Sequence, residues 1–239
     1  FEDMGFTYLG PVDGHDLEQL SSALEYAKAL RRPVVVHANT VRGKGYSYAE
    51  QEPERFHGVG PFDVSTGQTQ KKDAESFSSV FGKVLAECAS EDERVCAIIA
   101  AMESGTGLTD FARSYPKRFF DVGIAEGHAI SMAAGMAQQG MVPVVAMYST
   151  FLQRSYDQLI HDVALQELPV VFCVDRAGFN NADGATHHGI FDVAFLSHIP
   201  GVKIYTPVTA DGLALSLKTA IKDACPVAIR YPNGREHDD

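Results

Sequence analysis

The stretch Phe119-Phe120-Asp121-Val122-Gly123-Ile124-Ala125-Glu126-Gly127-His128 decides the fold. Its apolar residues stop at an acid-and-glycine turn, and an amphipathic run follows at Ile130, Met132, Ala133, Met136 and Ala137. This pattern reads as strand, tight turn and helix. It puts Glu126 at or near a helix N-terminus, on the carboxyl edge of a parallel sheet, where open α/β folds place ligands. On spacing alone, the first reading of Glu126 is an acid that complements the helix dipole.

Outward from this stretch, helix and strand patterns alternate over residues 73–235. Helices are expected at Glu75 to Cys88, Leu108 to Ser114, Glu126 to Gln138, Phe151 to Leu165 and Ala210 to Lys222. Strands are expected at Val95 to Ala101, Phe119-Phe120, Val142 to Met147, Val170 to Val174, Lys203 to Tyr205 and Val227 to Arg230. The strand Val95 to Ala101 is continuously apolar, as a strand buried on both faces should be. The fold class is therefore α/β, a parallel sheet covered by helices on both faces.

Residues 1–45 read as the tail of another α/β unit. Phe6-Thr7-Tyr8-Leu9 is a short strand, residues 11–16 supply turn chemistry and a helix cap, and Leu17, Leu20, Leu24 and Ala27 share a helical face. Pro33 to His37 is a β-branched strand. Arg42-Gly43-Lys44-Gly45 is a loop, not a phosphate-binding Walker motif, because the upstream Gly and the following Ser/Thr are missing. Residues 46–72 are rich in Glu, Gln, Pro, Gly and Lys and read as a linker or an ordered excursion over the surface. Within them His57, between aromatic and glycine residues, is by default a surface histidine.

Composition narrows the function classes. Twenty Lys and Arg against 31 Asp and Glu leave a net charge of -11 over 239 residues, which argues against nucleic acid or an anionic membrane surface as partner. No apolar run is long enough to span a bilayer. Cys88, Cys96, Cys173 and Cys225 are scattered without a C-x-x-C pair and read as reduced core thiols of an intracellular protein. The chain opens on Phe1 and closes just after a completed strand, so it is expected to be a piece of a longer protein.

Polar residues gather where the expected strands end. Tyr148 to Arg154 follow one strand; Asp175-Arg176-Ala177-Gly178 and Asn181 to Gly189 follow another; Arg230-Tyr231-Pro232 follow a third. Strand ends in such a sheet converge on one edge, so these residues and Glu126 can share a cleft.

The stretches Phe120 to Glu126, Tyr148 to Gln158, His161-Asp162-Val163-Ala164, Asp175 to Gly178 and Ala182 to His187 together resemble the 1-deoxy-D-xylulose-5-phosphate synthases. These belong to the transketolase group of thiamine diphosphate enzymes. The resemblance extends to Gly10 to His15 and to the Phe56-His57 loop. It implies that residues 1–45 close a pyrophosphate-binding domain, residues 46–72 connect, and residues 73–239 form a pyrimidine-binding domain. It also implies a reaction: pyruvate condenses with glyceraldehyde 3-phosphate and carbon dioxide leaves, feeding isoprenoid, thiamine and pyridoxal synthesis. The enzyme is expected to be a homodimer, cytoplasmic in a bacterium or plastid in a eukaryote.

The resemblance assigns roles by position. Glu126 matches the glutamate facing the cofactor's aminopyrimidine ring, where a carboxyl hydrogen-bonded to a ring nitrogen assists proton removal from the reactive carbon; burial should raise the pKa of such an acid. Phe151 matches an aromatic residue packed on that ring, and Ile124 lies in the same cofactor-binding turn. Tyr148, Arg154 and Arg176 match residues that hold substrate or its phosphate, for which the planar guanidinium suits bidentate binding. The bland alternative for Arg176 is an ion pair with Asp175. Asp183, His187 and, from the connecting segment, His57 match groups near the reacting carbons. His188 has no matching role.

Two positions depart from the family pattern: Gly127 stands where Gln is usual, and Asn233 where an Arg contacts phosphate. Mg²⁺ is expected from the cofactor's diphosphate, but none of the three Asp-Gly pairs carries the preceding Gly of the metal motif, so no metal ligand is assigned and the motif is expected upstream of Phe1. The piece alone is expected to be inactive. A transketolase, a 2-oxoacid dehydrogenase subunit, or a non-catalytic module of the same fold are the alternatives.

Overall fold

The computed structural model describes residues 1–53, 55–69, 75–180 and 184–235. The chain divides into two compact units, Phe1–Asp73 and Ala74–Asp239.

In the first unit, strands β1 (Thr7–Asp13) and β2 (Val34–Asn39) pair in parallel, joined by helix α1 (Leu17–Leu30). Asp16 caps α1, accepting from the backbone N–H groups of Glu18 and Gln19. The expected strand end at Leu9 needs correction. The strand runs on through Asp13 because the pairing register shifts between Leu9 and Val12, and this bulge admits Pro11, which lacks an N–H, without ending the ladder. The turn starts at Gly14. No residue of β1, α1 or β2 is buried. Over 46–69 a short helix α2 (Ser47–Gln51) stands beside an aromatic group of Tyr46, Tyr48, Phe56 and Phe62, with ring centroids 5.3 to 5.8 Å apart. Aromatic packing, which has no sequence period, orders this stretch.

The second unit is built on a six-stranded sheet. In chain order the strands are β3 (Val95–Ile99), β4 (Phe119–Asp121), β5 (Val142–Tyr148), β6 (Val171–Asp175), β7 (Lys203–Tyr205) and β8 (Val227–Arg230). They lie side by side as β4-β3-β5-β6-β8-β7, all parallel. Side chains alternate between two cores as the pleat requires. Ala97, Ile99, Val144, Ala146, Val171, Cys173, Val227 and Ile229 face one side, under helices α3 (Phe77–Glu91), α4 (Thr109–Ser114) and α9 (Ala210–Ala220). Ile98, Val145, Met147, Phe172, Val174 and Ala228 face the other, under α5 (Glu126–Gln138), residues 149–166 and α8 (Asp192–Leu196). This is the expected α/β sheet covered on both faces.

The switch point lies between β3 and β5. From β3 the chain moves to the sheet edge at β4, then crosses back over β3 to β5 and continues the other way. Adjacent strands whose connections diverge leave a crevice at their carboxyl ends.

One expected helix differs. Residues 151–165 do not form a single α-helix: α6 (Ser149–Leu152) passes through a 3₁₀ turn (Gln153–Ser155), α7 (Tyr156–Gln158), a π turn (Leu159–Val163) and a second 3₁₀ turn (Ala164–Gln166). The apolar spacing of Leu152, Leu159 and Val163 survives these changes, and all three are buried. Spacing alone does not reveal which carbonyl takes each N–H, so the breaks are invisible in the sequence. The α8 helix and the 3₁₀ turn Ala185–His187 were not expected either, because each is too short to show a period.

Cys88, Cys96 and Cys173 are buried and all four cysteines are free. Burial pushes the Cys96 thiol up to about 11. No helix among the described residues is long and apolar enough to cross a membrane.

Helix α5 contains an exposed glycine, Gly135, at an ordinary helical φ, with no atom within 4 Å of where a Cβ would stand. Gly135→Ala is therefore expected to stabilise the protein by about 0.5 to 1 kcal/mol by removing backbone entropy from the unfolded chain. A higher urea midpoint with an unchanged slope would be the signature.

Candidate active site

The carboxyl ends of β4, β5 and β6 each deliver part of one cluster. At the end of β4, Asp121 accepts from the N–H groups of Ala101 (2.8 Å) and Gly123 (2.9 Å), which fixes the turn that feeds α5. Glu126 is the first residue of that helix and is 7% exposed. Its carboxylate pairs with the guanidinium of Arg154, whose side chain is 55% exposed. Gly127 leaves the wall beside Glu126 bare; a Cβ there would meet the Gln158 carboxamide at 3.4 Å, an ordinary contact.

At the end of β5, Tyr148 stacks on Phe151, with centroids 5.7 Å apart and planes 12° from parallel. Arg154 lies over the Phe151 ring at 5.2 Å, and the His187 ring meets Phe151 edge-on at 5.5 Å. Thr150 Oγ1 donates to the Thr186 carbonyl, tying the His187 turn to the start of α6. The Tyr148 hydroxyl closes against Gly105 in the loop after β3, where a Cβ would fall 2.2 Å from the phenolic oxygen. Only glycine admits the ring in this position.

At the end of β6, Arg176 places its guanidinium carbon 3.9 Å from the Tyr148 ring centroid and pairs with the buried Asp175 at 2.8 Å. Cation–π contact and ion pair thus hold the same guanidinium. Burial pushes the Asp175 carboxyl above the usual carboxylate range, with the Arg176 charge and the Ser78 hydroxyl opposing that shift.

The sequence-expected residues Glu126, Tyr148, Phe151, Arg154, Arg176 and His187 are therefore linked through side-chain contacts. Ile124 is 81% exposed in the turn before α5. His57 is exposed in the first unit. Asp183 lies outside the described residues. Asn233 is exposed in the turn after β8. His188, expected to be structural, accepts from the Asn180 N–H (3.0 Å) within a loop closed by paired Gly178–Gly189 backbone bonds.

Sequence reasoning passed over Ser78, Gly105 and the buried ion pair between Asp192 and Arg230 (2.9 Å). Each meets its partner from a distant part of the chain, so no local spacing signals it. An open groove of about 660 Å³ lies at the opposite, amino edge of the sheet, beside Met141 and Pro169. Arg94 and Lys218 on its wall are already paired with Asp92 and Glu87, and the groove contains none of the clustered residues.

Residues 74–235 match the family described as transketolase, pyrimidine binding domain. The chain belongs to this family. Residues 1–40 match the family described as 1-deoxy-D-xylulose-5-phosphate synthase. Among curated proteins, the chain is 56% identical over 233 residues to the 1-deoxy-D-xylulose-5-phosphate synthase of Pelotomaculum thermopropionicum, covering 97% of this chain and 37% of that protein. It is 56% identical over 234 residues to that of Carboxydothermus hydrogenoformans, covering 98% and 38%. The chain thus spans less than two fifths of the length of these relatives.

Solved structures give the same fold for this member of the transketolase pyrimidine-binding family. A split-gene transketolase, described as an inactive β4 tetramer, aligns at a TM-score of 0.60 and 28% identity over 67% of this chain and 53% of that one. The transketolase of Campylobacter jejuni aligns at 0.61 and 16% identity over all of this chain and 48% of that one, a likeness of fold alone.

Proposed function

We propose that this chain is part of a thiamine diphosphate-dependent 1-deoxy-D-xylulose-5-phosphate synthase, a transketolase-class transferase that condenses pyruvate with glyceraldehyde 3-phosphate and releases carbon dioxide. The observation that carries this reading is the continuous contact path Glu126–Arg154–Phe151–Tyr148–Arg176, with His187 on Phe151, at the sheet's switch point. The set fits the pyrimidine half of the cofactor: a buried acid at a helix start and an aromatic face beside it. When bound, the cofactor supplies a carbon nucleophile and an electron sink.

The chain's own groups then divide the work. Glu126 would hold a proton at a ring nitrogen of the cofactor. Phe151 would pack on the ring and exclude water from its face, and Tyr148 would help hold the substrate. His187 moves protons at substrate oxygens, with Asp183 and His57 as further groups for the same task. Arg154 and Arg176 supply positive charge for the acceptor's phosphate. Among the described residues, no group of three or more His, Cys, Asp or Glu side chains could hold a metal ion, so the Mg²⁺ that accompanies the diphosphate is assigned to no residue here.

In the same reading, residues 1–45 close a pyrophosphate-binding domain and residues 46–72 connect it to the pyrimidine-binding domain. The whole enzyme is a homodimer, cytoplasmic in a bacterium or plastid in a eukaryote, and this piece alone is inactive. The reading is tested by assaying the full-length protein with pyruvate and glyceraldehyde 3-phosphate in the presence of thiamine diphosphate and Mg²⁺. Formation of 1-deoxy-D-xylulose 5-phosphate with equimolar carbon dioxide is expected. Transfer from a ketose phosphate donor instead would make it a transketolase.

A further inference from the structure

We propose that Ser78 and Asp175 are positioning residues that fix the Arg176 guanidinium against Tyr148 and thereby set the site's preference for a phosphorylated acceptor. The proposal rests on the function proposed above, which supplies the acceptor.

Ser78 is the second residue of α3 and is 8% exposed. Its hydroxyl donates to Asp175 Oδ2 at 2.7 Å, across 97 residues of chain. The Asp175 side chain is fully buried, and its other oxygen, Oδ1, accepts from the Arg176 backbone N–H at 2.7 Å. Arg176 Nη1 then reaches three oxygens: Asp175 Oδ2 at 2.8 Å, the Gly105 carbonyl at 2.6 Å and Ser78 Oγ at 3.3 Å. Arg176 also adopts a left-handed backbone, φ +57, which is unfavourable for a residue with a side chain and persists only where the surroundings impose it.

The consequence is electrostatic. An arginine that grips phosphate from a flexible stem loses rotamer freedom on every binding event. Here the side chain is only 13% exposed, with one nitrogen committed to protein oxygens and its carbon 3.9 Å from the Tyr148 ring centroid. The charge is set in place before substrate arrives, which is preorganisation. The Ser78 hydroxyl joins the other two side chains, donating to Asp175 and accepting from Arg176. Without its hydroxyl, Asp175 keeps Arg176 as a partner but loses the donor that fixes the carboxylate's angle. The guanidinium can then turn away from Tyr148.

The test uses the full-length protein and its S78A and S78T variants, assayed with glyceraldehyde 3-phosphate and with unphosphorylated glyceraldehyde as acceptor. S78A is expected to lower the ratio of kcat/KM for the phosphorylated over the unphosphorylated acceptor about tenfold, the equivalent of one charge-assisted contact, through the KM of the phosphorylated acceptor. S78T keeps a hydroxyl and is expected to restore the wild-type ratio. An unchanged ratio in S78A, or an equal loss on both acceptors, overturns the proposal. A crystal structure of S78A provides the independent arm: the Arg176 guanidinium should leave the Tyr148 ring, and an unmoved guanidinium overturns the proposal whether or not the protein turns over these substrates. Absence of turnover in the wild-type protein counts against the proposed reaction and leaves the crystallographic arm to decide the positioning.

Discussion

Glu126→Ala in the full-length protein is expected to lower turnover by roughly 10²- to 10⁴-fold, the range contributed by a positioned proton-transfer group. Folding should survive the change. The partner left behind, Arg154, has a side chain that is 55% exposed, so losing the carboxylate strands no buried cation. The helix start loses one acid near its positive end, a cost of about 0.3 to 1 kcal/mol. Steady-state turnover measured beside thermal unfolding separates the two effects. Turnover within threefold of wild type would take Glu126 out of the chemistry and leave it as the helix-start acid that its spacing first suggests.

The second large effect is on stability. Asp192, with a fully buried side chain at the start of α8, accepts from Arg230 Nε at 2.9 Å and from Nη2 at 3.3 Å at the end of β8. The Arg230 side chain is 18% exposed and has little water to turn to. Asp192→Ala is expected to cost about 3 to 5 kcal/mol, because removing one partner of a buried pair leaves the other's desolvation uncompensated. Asp192→Asn keeps acceptor oxygen and shape and should cost clearly less. Urea unfolding of the two variants measures both; a loss below about 1 kcal/mol for Asp192→Ala would mean that Arg230 reaches solvent or another acceptor.

The cluster divides between local and distant causes. Glu126, Tyr148, Phe151, Arg154 and Arg176 stand at or within a few residues of the end of a strand whose apolar run can be read from the sequence, and His187 stands in the longer loop that follows β6. Strand ends of a parallel sheet point the same way, so their gathering on one edge follows from the fold class. Their partners do not follow. Ser78 meets Asp175 across 97 residues, and Gly105 meets Arg176 across 71. The expected phosphate arm Arg176 also turned out to hold the ion pair with Asp175 that was its bland alternative, and Arg154 reaches to Glu126.

By itself, the sequence determined what depends on near neighbours along the chain. Apolar runs, clearest at Val95–Ile99 and Val142–Tyr148, alternate with amphipathic helices, so a parallel sheet covered on both faces was specified, because burial on both faces leaves no other place for such runs. Tertiary structure alone decided how residues 149–166 change helical type, how β1 passes through Pro11, and which buried groups meet across the sheet edge. Those outcomes depend on hydrogen-bond and charge partners brought together only when the layers close, and a buried polar group takes whichever partner lies within reach.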